Sequence, residues 1–260
     1  NCLKACNNVY IDADLSIFVD EFKSYNTIQE FSSDTTGNVI NIGSNTTLKI
    51  YGSIIFNNHL SSFYRIIDSN AKTNISISGI GGIIKGNYLI KNEGGEHGHG
   101  ISLRDSSNCV IDNLTITECL GDGIYIGGDR SDIVGELSNN IHVKSCSLDG
   151  NGRQGISIVK GQEITLANNK ILNTGIANGT VLGCGIDIEP EWKRTIRNIN
   201  IKDNYLENNH NNAINILILR EDAYISIKEI FIENNTIYPS PSRFAISSRK
   251  IPGNPAIIEG

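Results

Sequence analysis

The 260-residue sequence predicts an all-β fold, a parallel β-helix in which short strands stack turn upon turn into a solenoid. The first observation is the pattern Gly-Ile-x-(Ile/Leu), which recurs at Gly100-Ile101-Ser102-Leu103, Gly123-Ile124-Tyr125-Ile126, Gly155-Ile156-Ser157-Ile158 and Gly185-Ile186-Asp187-Ile188. The second is another strand signature in every turn, apolar-x-apolar-x-polar-polar-x-apolar, at Cys109 to Ile116, Ile141 to Leu148, Ile164 to Ile171, Ile199 to Leu206 and Ile230 to Ile237. The third is that glycine and asparagine are scattered rather than clustered, as many short strands separated by turns require. A repeat of about 20 to 50 residues made only of short strands cannot bury its apolar face within one turn, so its neighbours must cover it. The Leu pattern of leucine-rich repeats is absent, as is the Gly-Gly-x-Gly-x-Asp of calcium-binding nonapeptide repeats. A two-sheet sandwich is the remaining alternative. Variable spacing between constant strand motifs favours the β-helix, whose insertions emerge as loops at a corner.

Taken in order, residues 1–36 lack the repeat and are assigned to an N-terminal cap, with Asp14 to Phe22 as a short amphipathic helix or an irregular strand. A solenoid needs such a cap because its first rung exposes apolar interior and unpaired backbone. The β-helix domain is assigned to residues 37–260. It begins loosely in Val39-Ile40-Asn41-Ile42, Leu48 to Phe56, Ile66-Ile67 and Ile75 to Gly79, where alternation marks strands with one buried face. From Gly100 the corresponding positions read Gly123, Gly155, Gly185, Ala213 and Ala245, at spacings of 23, 32, 30, 28 and 32 residues. In the second strand Asn113, Ser145, Asn168, Asp203 and Asn234 align, as do Leu114, Cys146, Asn169, Asn204 and Asn235. This predicts an asparagine ladder at a bend, because the amide bonds backbone in its own turn and the next and tolerates left-handed φ. The inserts 127–139, 173–183 and 190–198 are candidate groove walls. Pro252 and Pro255 suit a terminal rung that must not continue.

A formal charge of -6, with no basic block longer than Lys193-Arg194, excludes the cation stripe of a nucleic-acid binder. No run of about 18 apolar residues suggests a membrane span, and no signal peptide is visible. The absence of Met leads us to expect a chain that does not start at its initiator. Six cysteines without CxxC spacing predict no zinc site. Buried free thiols are expected, although a Cys2 to Cys6 or Cys109 to Cys146 link is open.

In each Gly-Ile-x-(Ile/Leu) strand the isoleucines point inward, so the alternate residues face outward. One outward column reads Ser102, Tyr125, Ser157, Asp187, Asn215, and the next reads Arg104, Gly127, Val159, Glu189, Leu217. The column before the glycines reads His99, Asp122, Gln154, Cys184, Asn212. Asp187 and Glu189, two residues apart on one face, should have Cα atoms about 6.6 Å apart. That overlaps the roughly 6.5 to 9.5 Å carboxyl separation of inverting glycoside hydrolases, with Asp122 as a third carboxylate. The bland alternative is a solvated strand face. His97 and His99 flank glycines that let a ligand approach the backbone, or they serve the turn itself. Tyr125 and Trp192 either stack on sugar rings or pack on neighbouring loops. Arg104, Arg130, Arg153, Lys160 and Arg194 supply the local positive charge with which a lyase would neutralise a uronate.

Gly98-His99-Gly100-Ile101, the segment from Gly121 to Gly127, Arg153 to Ile158 and Gly185 to Pro190 together resemble the pectate-lyase-like superfamily of right-handed parallel β-helix proteins. In particular they are similar to repeat proteins of phage tails and bacterial surfaces, over about residues 37–240. Gly121-Asp122-Gly123 resembles the Gly-Asp-Asp of polygalacturonases, with Asp122 at the first acid and Gly123 in place of the second. Gly98-His99-Gly100 precedes that motif rather than following it, and no Arg-Ile-Lys follows. The resemblance implies an extracellular or virion-associated depolymerase, a glycoside hydrolase or polysaccharide lyase cleaving an acidic or N-acetylated surface polysaccharide. Asp187, Glu189 and Asp122 would be catalytic, and His97, His99, Arg104, Tyr125, Arg153 and Trp192 would bind substrate. No cofactor or metal is expected, with calcium entering only for a lyase, and a homotrimer would match the tailspike arrangement. The alternative is a non-catalytic glycan-binding adhesin or tail fibre module.

Overall fold

Alternation of isoleucine with polar residues produces eight short strands that stack in parallel as one face of the solenoid: Asn38–Asn41, Tyr64–Asn70, Gly98–Arg104, Ile124–Gly127, Ile156–Ile158, Ile186–Ile188, Ile214–Ile218 and Phe244–Ser248. A 15-stranded sheet forms the remaining wall. The structure, a computed structural model, describes residues 8–11, 15–18, 38–57, 64–87, 97–128, 138–175, 183–190, 195–218, 226–238, 244–248 and 257–259. Among them no α-helix occurs, and hence none long and apolar enough to cross a membrane.

The core runs along the axis. Ile67, Ile101, Ile124, Ile156, Ile186 and Ile214 pair in register from turn to turn and are buried. Across from them, on the long wall, Ile75, Cys109, Ile141, Ile164, Ile199 and Ile230 form a second in-register column. The repeated glycine has a steric cause. A Cβ on Gly100, Gly123, Gly155 or Gly185 would lie 2.7, 2.8, 2.5 and 2.6 Å from the carbonyl oxygen of the next turn, closer than real Cβ atoms come.

The bends carry the asparagines. Asn113, Ser145, Asn168, Asp203 and Asn234 all have left-handed φ, between 53 and 57°, a region where short polar side chains are tolerated. One residue later, the Asn204 carboxamide oxygen accepts the Asn169 backbone N–H (2.9 Å) and Nδ2 (3.0 Å), and Asn235 does the same for Asn204 (3.0 and 2.9 Å). The Nδ2 atoms of Asn169, Asn204 and Asn235 also donate to the carbonyls of Val143, Leu166 and Ile201. A second internal ladder, unforeseen from sequence, caps the next bend: Asn151 bonds Cys119 N and Ile116 O, and Asn209 bonds Thr174 and Ile171 O. Exposed amide ladders run along the corners, one through Asn45, Asn74, Asn108 and Asn140 and another through Asp149, Asn173 and Asn208.

One alignment changes. Phe244, not Ile246, pairs with Ile214, so Ala245 falls in the Asn215 column and the last spacing is 30 residues rather than 32. Strands Asn8–Ile11 and Leu15–Phe18 pair in parallel with Thr46–Ile50 and Ser53–Asn57, so solenoid pairing reaches into the segment assigned to the cap. Cys109, Cys119, Cys146 and Cys184 are buried free thiols, as expected, and the open Cys109 to Cys146 link does not form. Cys2, Cys6, Pro252 and Pro255 lie outside the described residues.

Candidate active site

The strand register aligns Asp68, Ser102, Tyr125, Ser157, Asp187 and Asn215 in one outward column. The column before the glycines is set by backbone bonds from Gly100, Gly123, Gly155 and Gly185 to the carbonyls of Asp122, Gln154, Cys184 and Asn212. Stacked at rung spacing, about 4.8 Å, these polar side chains bury one another.

Asp122 is fully buried. It accepts from Ser157 Oγ at 2.9 Å, from the Gln154 backbone N–H at 3.3 Å and from Arg153 Nη1 at 3.2 and 3.3 Å. Burial pushes its carboxyl up to about 6, against the pull of Arg153 and the Ser157 hydroxyl, and the Asp187 charge adds to the rise. Asp187 accepts Gln154 Nε2 on one oxygen (2.9 Å) and Asn215 Nδ2 on the other (2.8 Å). Burial raises its proton affinity too, with Arg153, the Asn215 amide and the neighbouring Glu189 opposing the rise. Arg153 spans the cluster, with Nη1 on Asp122 and Nη2 on Glu189 Oε2 at 3.4 Å.

Asp122 and Glu189 are held apart, with the Arg153 guanidinium between them.

His99 stacks on Tyr125 with centroids 4.9 Å apart, and His97 meets its edge at 6.1 Å. Burial, then the positive neighbours His97, Arg65, Arg153 and Arg104, hold His99 well below the usual imidazole range. Its Nδ1 accepts the Asp122 backbone N–H at 3.3 Å, so the 3.5 Å approach to Asp122 Oδ2 is the contact of a neutral ring, not an ion pair. Arg104 is buried and engages Asp68 through Nε (3.0 Å) and Nη2 (2.8 Å). Placed for substrate by the sequence, it is bound instead to a carboxylate of the preceding turn. Lys160 likewise holds Asp105 at 2.6 Å. Trp192, Arg130 and Arg194 lie outside the described residues. Ser102 Oγ is buried with no hydrogen-bond partner among the described residues.

Gln154, Ser157, Asn215 and Asp68 join the site without having been singled out. Their column positions were the available signal. Gln154 matters most: its Oε1 accepts the Cys184 N–H at 2.6 Å, which turns its NH2 toward Asp187. Among the described residues no three His, Cys, Asp or Glu group as metal ligands. The carboxylate oxygens are met by Arg153, Gln154, Ser157 and Asn215, not arranged as the open oxygen cage calcium takes.

The fold has relatives. The chain matches the family described as right handed beta helix region over residues 23–188 and again over 73–243. It is 30% identical over 127 residues to the uncharacterized protein YclG of Bacillus subtilis (strain 168), covering 46% of this chain and 22% of that protein. The chain thus spans about a fifth of the length of this curated relative. It superposes on an exopolygalacturonase from Thermotoga maritima with a TM-score of 0.52 at 13% identity, covering 85% of this chain and 68% of the other. An alginate lyase from Paenibacillus sp. str. FPU-7 aligns with a TM-score of 0.42 at 14% identity, covering 92% and 99%. At such identities the likeness is one of fold.

Proposed function

Because the chain belongs to the right-handed β-helix family, we propose that Asp122, Asp187 and Glu189 form the catalytic centre of a glycoside hydrolase acting on a surface polysaccharide, outside the cell or on a virion. The observation that carries this reading is a buried cluster in which Arg153 bridges Asp122 and Glu189 beside Asp187, with the proton affinities of Asp122 and Asp187 raised by burial. Glycoside hydrolysis needs one carboxylic acid to protonate the leaving oxygen and one carboxylate to activate water or attack the sugar. Asp122, with its carboxyl at about 6, keeps its proton to higher pH than an ordinary carboxyl and takes the acid role. Glu189, on the other side of Arg153, supplies the base. Arg153 and Glu189, with side chains 14 and 9% exposed, are where substrate meets the cluster, and the half-buried Tyr125 and His97 offer rings beside them.

Hydrolysis is favoured over β-elimination by the pairing of the cations. Arg104, Arg153 and Lys160 each hold a carboxylate, whereas a lyase must turn a cation on a uronate. The same pairing favours an N-acetylated over an acidic glycan.

The test is incubation with a panel of capsular, peptidoglycan-derived and plant acidic glycans. New reducing ends are expected from wild type, and at least a hundredfold fewer, on the order of a lost general acid, from Asp122→Asn and Glu189→Gln. Undiminished turnover by the double variant overturns the assignment, and the absorbance of an unsaturated uronate would make the enzyme a lyase.

A second reading, a non-catalytic glycan-binding adhesin or tail fibre module, is favoured by one observation: Asp122 and Asp187 are already bonded on both oxygens. It predicts saturable binding without new ends.

A further inference from the structure

We propose that the long wall carries a second saccharide-binding surface, separate from the carboxylate cluster, where Lys170, Tyr205 and Tyr238 form a stack across three consecutive turns. Lys170 pairs in register with Tyr205, and Glu207 with Tyr238. The Lys170 ammonium lies 5.8 Å from the Tyr205 ring centroid, and the Tyr205 and Tyr238 rings are 5.3 Å apart, tilted by 38°. Tyr205 donates its hydroxyl to Glu207 Oε2 at 2.7 Å, which fixes the direction of its ring. Tyr238 leans on this anchored ring yet is 48% exposed. An aromatic face already held in place loses little freedom when a ligand covers it.

The chemistry of the surroundings selects the occupant. A stable protein partner needs several hundred Å² of continuous apolar surface, but here the rings are bordered by the polar Lys170, Glu207 and Thr236. A polyanion needs unbalanced cations, but Lys170 is offset by Glu207, and the whole chain carries -6. A saccharide has an apolar C–H face for the exposed ring and hydroxyls for the carboxylate and threonine beside it. Tyr205 and Glu207 belong to the same turn as Asp187 and Glu189, on a different wall. A polymer anchored there would be held without being cut.

Affinity electrophoresis of the whole chain in gels containing chito-oligosaccharides, soluble peptidoglycan fragments, xylan or alginate tests this. At least one gel should retard the protein, Tyr238→Ala should weaken retardation about tenfold, and Tyr238→Phe should retain it. Asp122→Asn should leave retardation unchanged, which separates this surface from the catalytic reading. Because Tyr238 is half exposed, its variant should unfold at the wild-type temperature even where Tyr205→Ala does not fold. Retardation by none of the four glycans, or equal retardation of wild type and Tyr238→Ala, overturns the proposal.

Discussion

Asp122 shows how a single buried carboxyl makes the stability of this chain depend on pH. In the unfolded chain its proton leaves near pH 4, in the folded chain near 6. Below both values the group is neutral in either state, and as pH rises through this window the unfolded state gains about 3 kcal/mol relative to the folded one. Urea unfolding at pH 4 and pH 7 should show a loss in wild type that is smaller in Asp122→Asn, where the buried Asp187 still shifts in the same sense. His99 acts in the opposite sense: the unfolded imidazole gains a proton below about 6.5 while the buried ring does not, so its contribution is lost as pH falls. Comparing wild type with Asp122→Asn separates these opposing slopes. In the proposed reaction, kcat/KM should decline above about pH 6, as Asp122 loses the proton it donates. Arg104→Ala takes two hydrogen bonds from the buried Asp68 and leaves it the longer Arg65 contact at 3.7 Å, and should cost about 3 kcal/mol by thermal unfolding. At this scale Asp122, Asp187 and Glu189 were legible because strand alternation assigns residues to columns. Gln154 was not, since an uncharged amide announces nothing until the Cys184 N–H orients it.

The bend is the element that makes one turn fit the next. Removing the Asn204 carboxamide takes the acceptor from Asn169 and the donor from Leu166 O at once. Asn204→Ala should therefore cost about 3 kcal/mol by thermal unfolding, two buried groups being left unsatisfied. The preceding residue tests the backbone instead: Asp203, with a φ of 57°, should accept Gly with little change and lose about 1 to 2 kcal/mol as Val. The Asn169, Asn204, Asn235 ladder was readable because asparagine repeats at a constant place in a constant strand motif. The ladder through Asn151 and Asn209 was hidden because Thr174 interrupts it and because loop lengths vary between copies. Ala245 was misplaced for a related reason: without a glycine to mark the column, any small residue near an isoleucine looks equivalent, and only pairing decides.

For the molecule as a whole, each turn touches only its neighbours, so stability is a sum over turns and the junctions between them. A side chain at Gly155 meets Ile171 at 2.4 Å and the Gly185 carbonyl at 2.5 Å. Gly155→Val should thus break a central junction, and hydrogen exchange should quicken around Ile156 and Ile186 more than around Ile50 or Ile77. The fold was legible because every turn repeats the same burial problem, whereas the reaction depends on a few side chains that do not repeat. The ladders carry one further consequence, for the electrostatics of the ends. In the internal ladders the side-chain donor stands in the earlier turn and the acceptor in the later one, as from Asn169 to Asn204 to Asn235. Along the exposed corners the order is reversed, as from Asn140 to Asn108 and from Asn208 to Asn173. The two sets of amide dipoles point in opposite directions along the axis and offset one another, unlike the aligned peptides of an α-helix. The solenoid can therefore extend turn by turn without accumulating partial charge at either end.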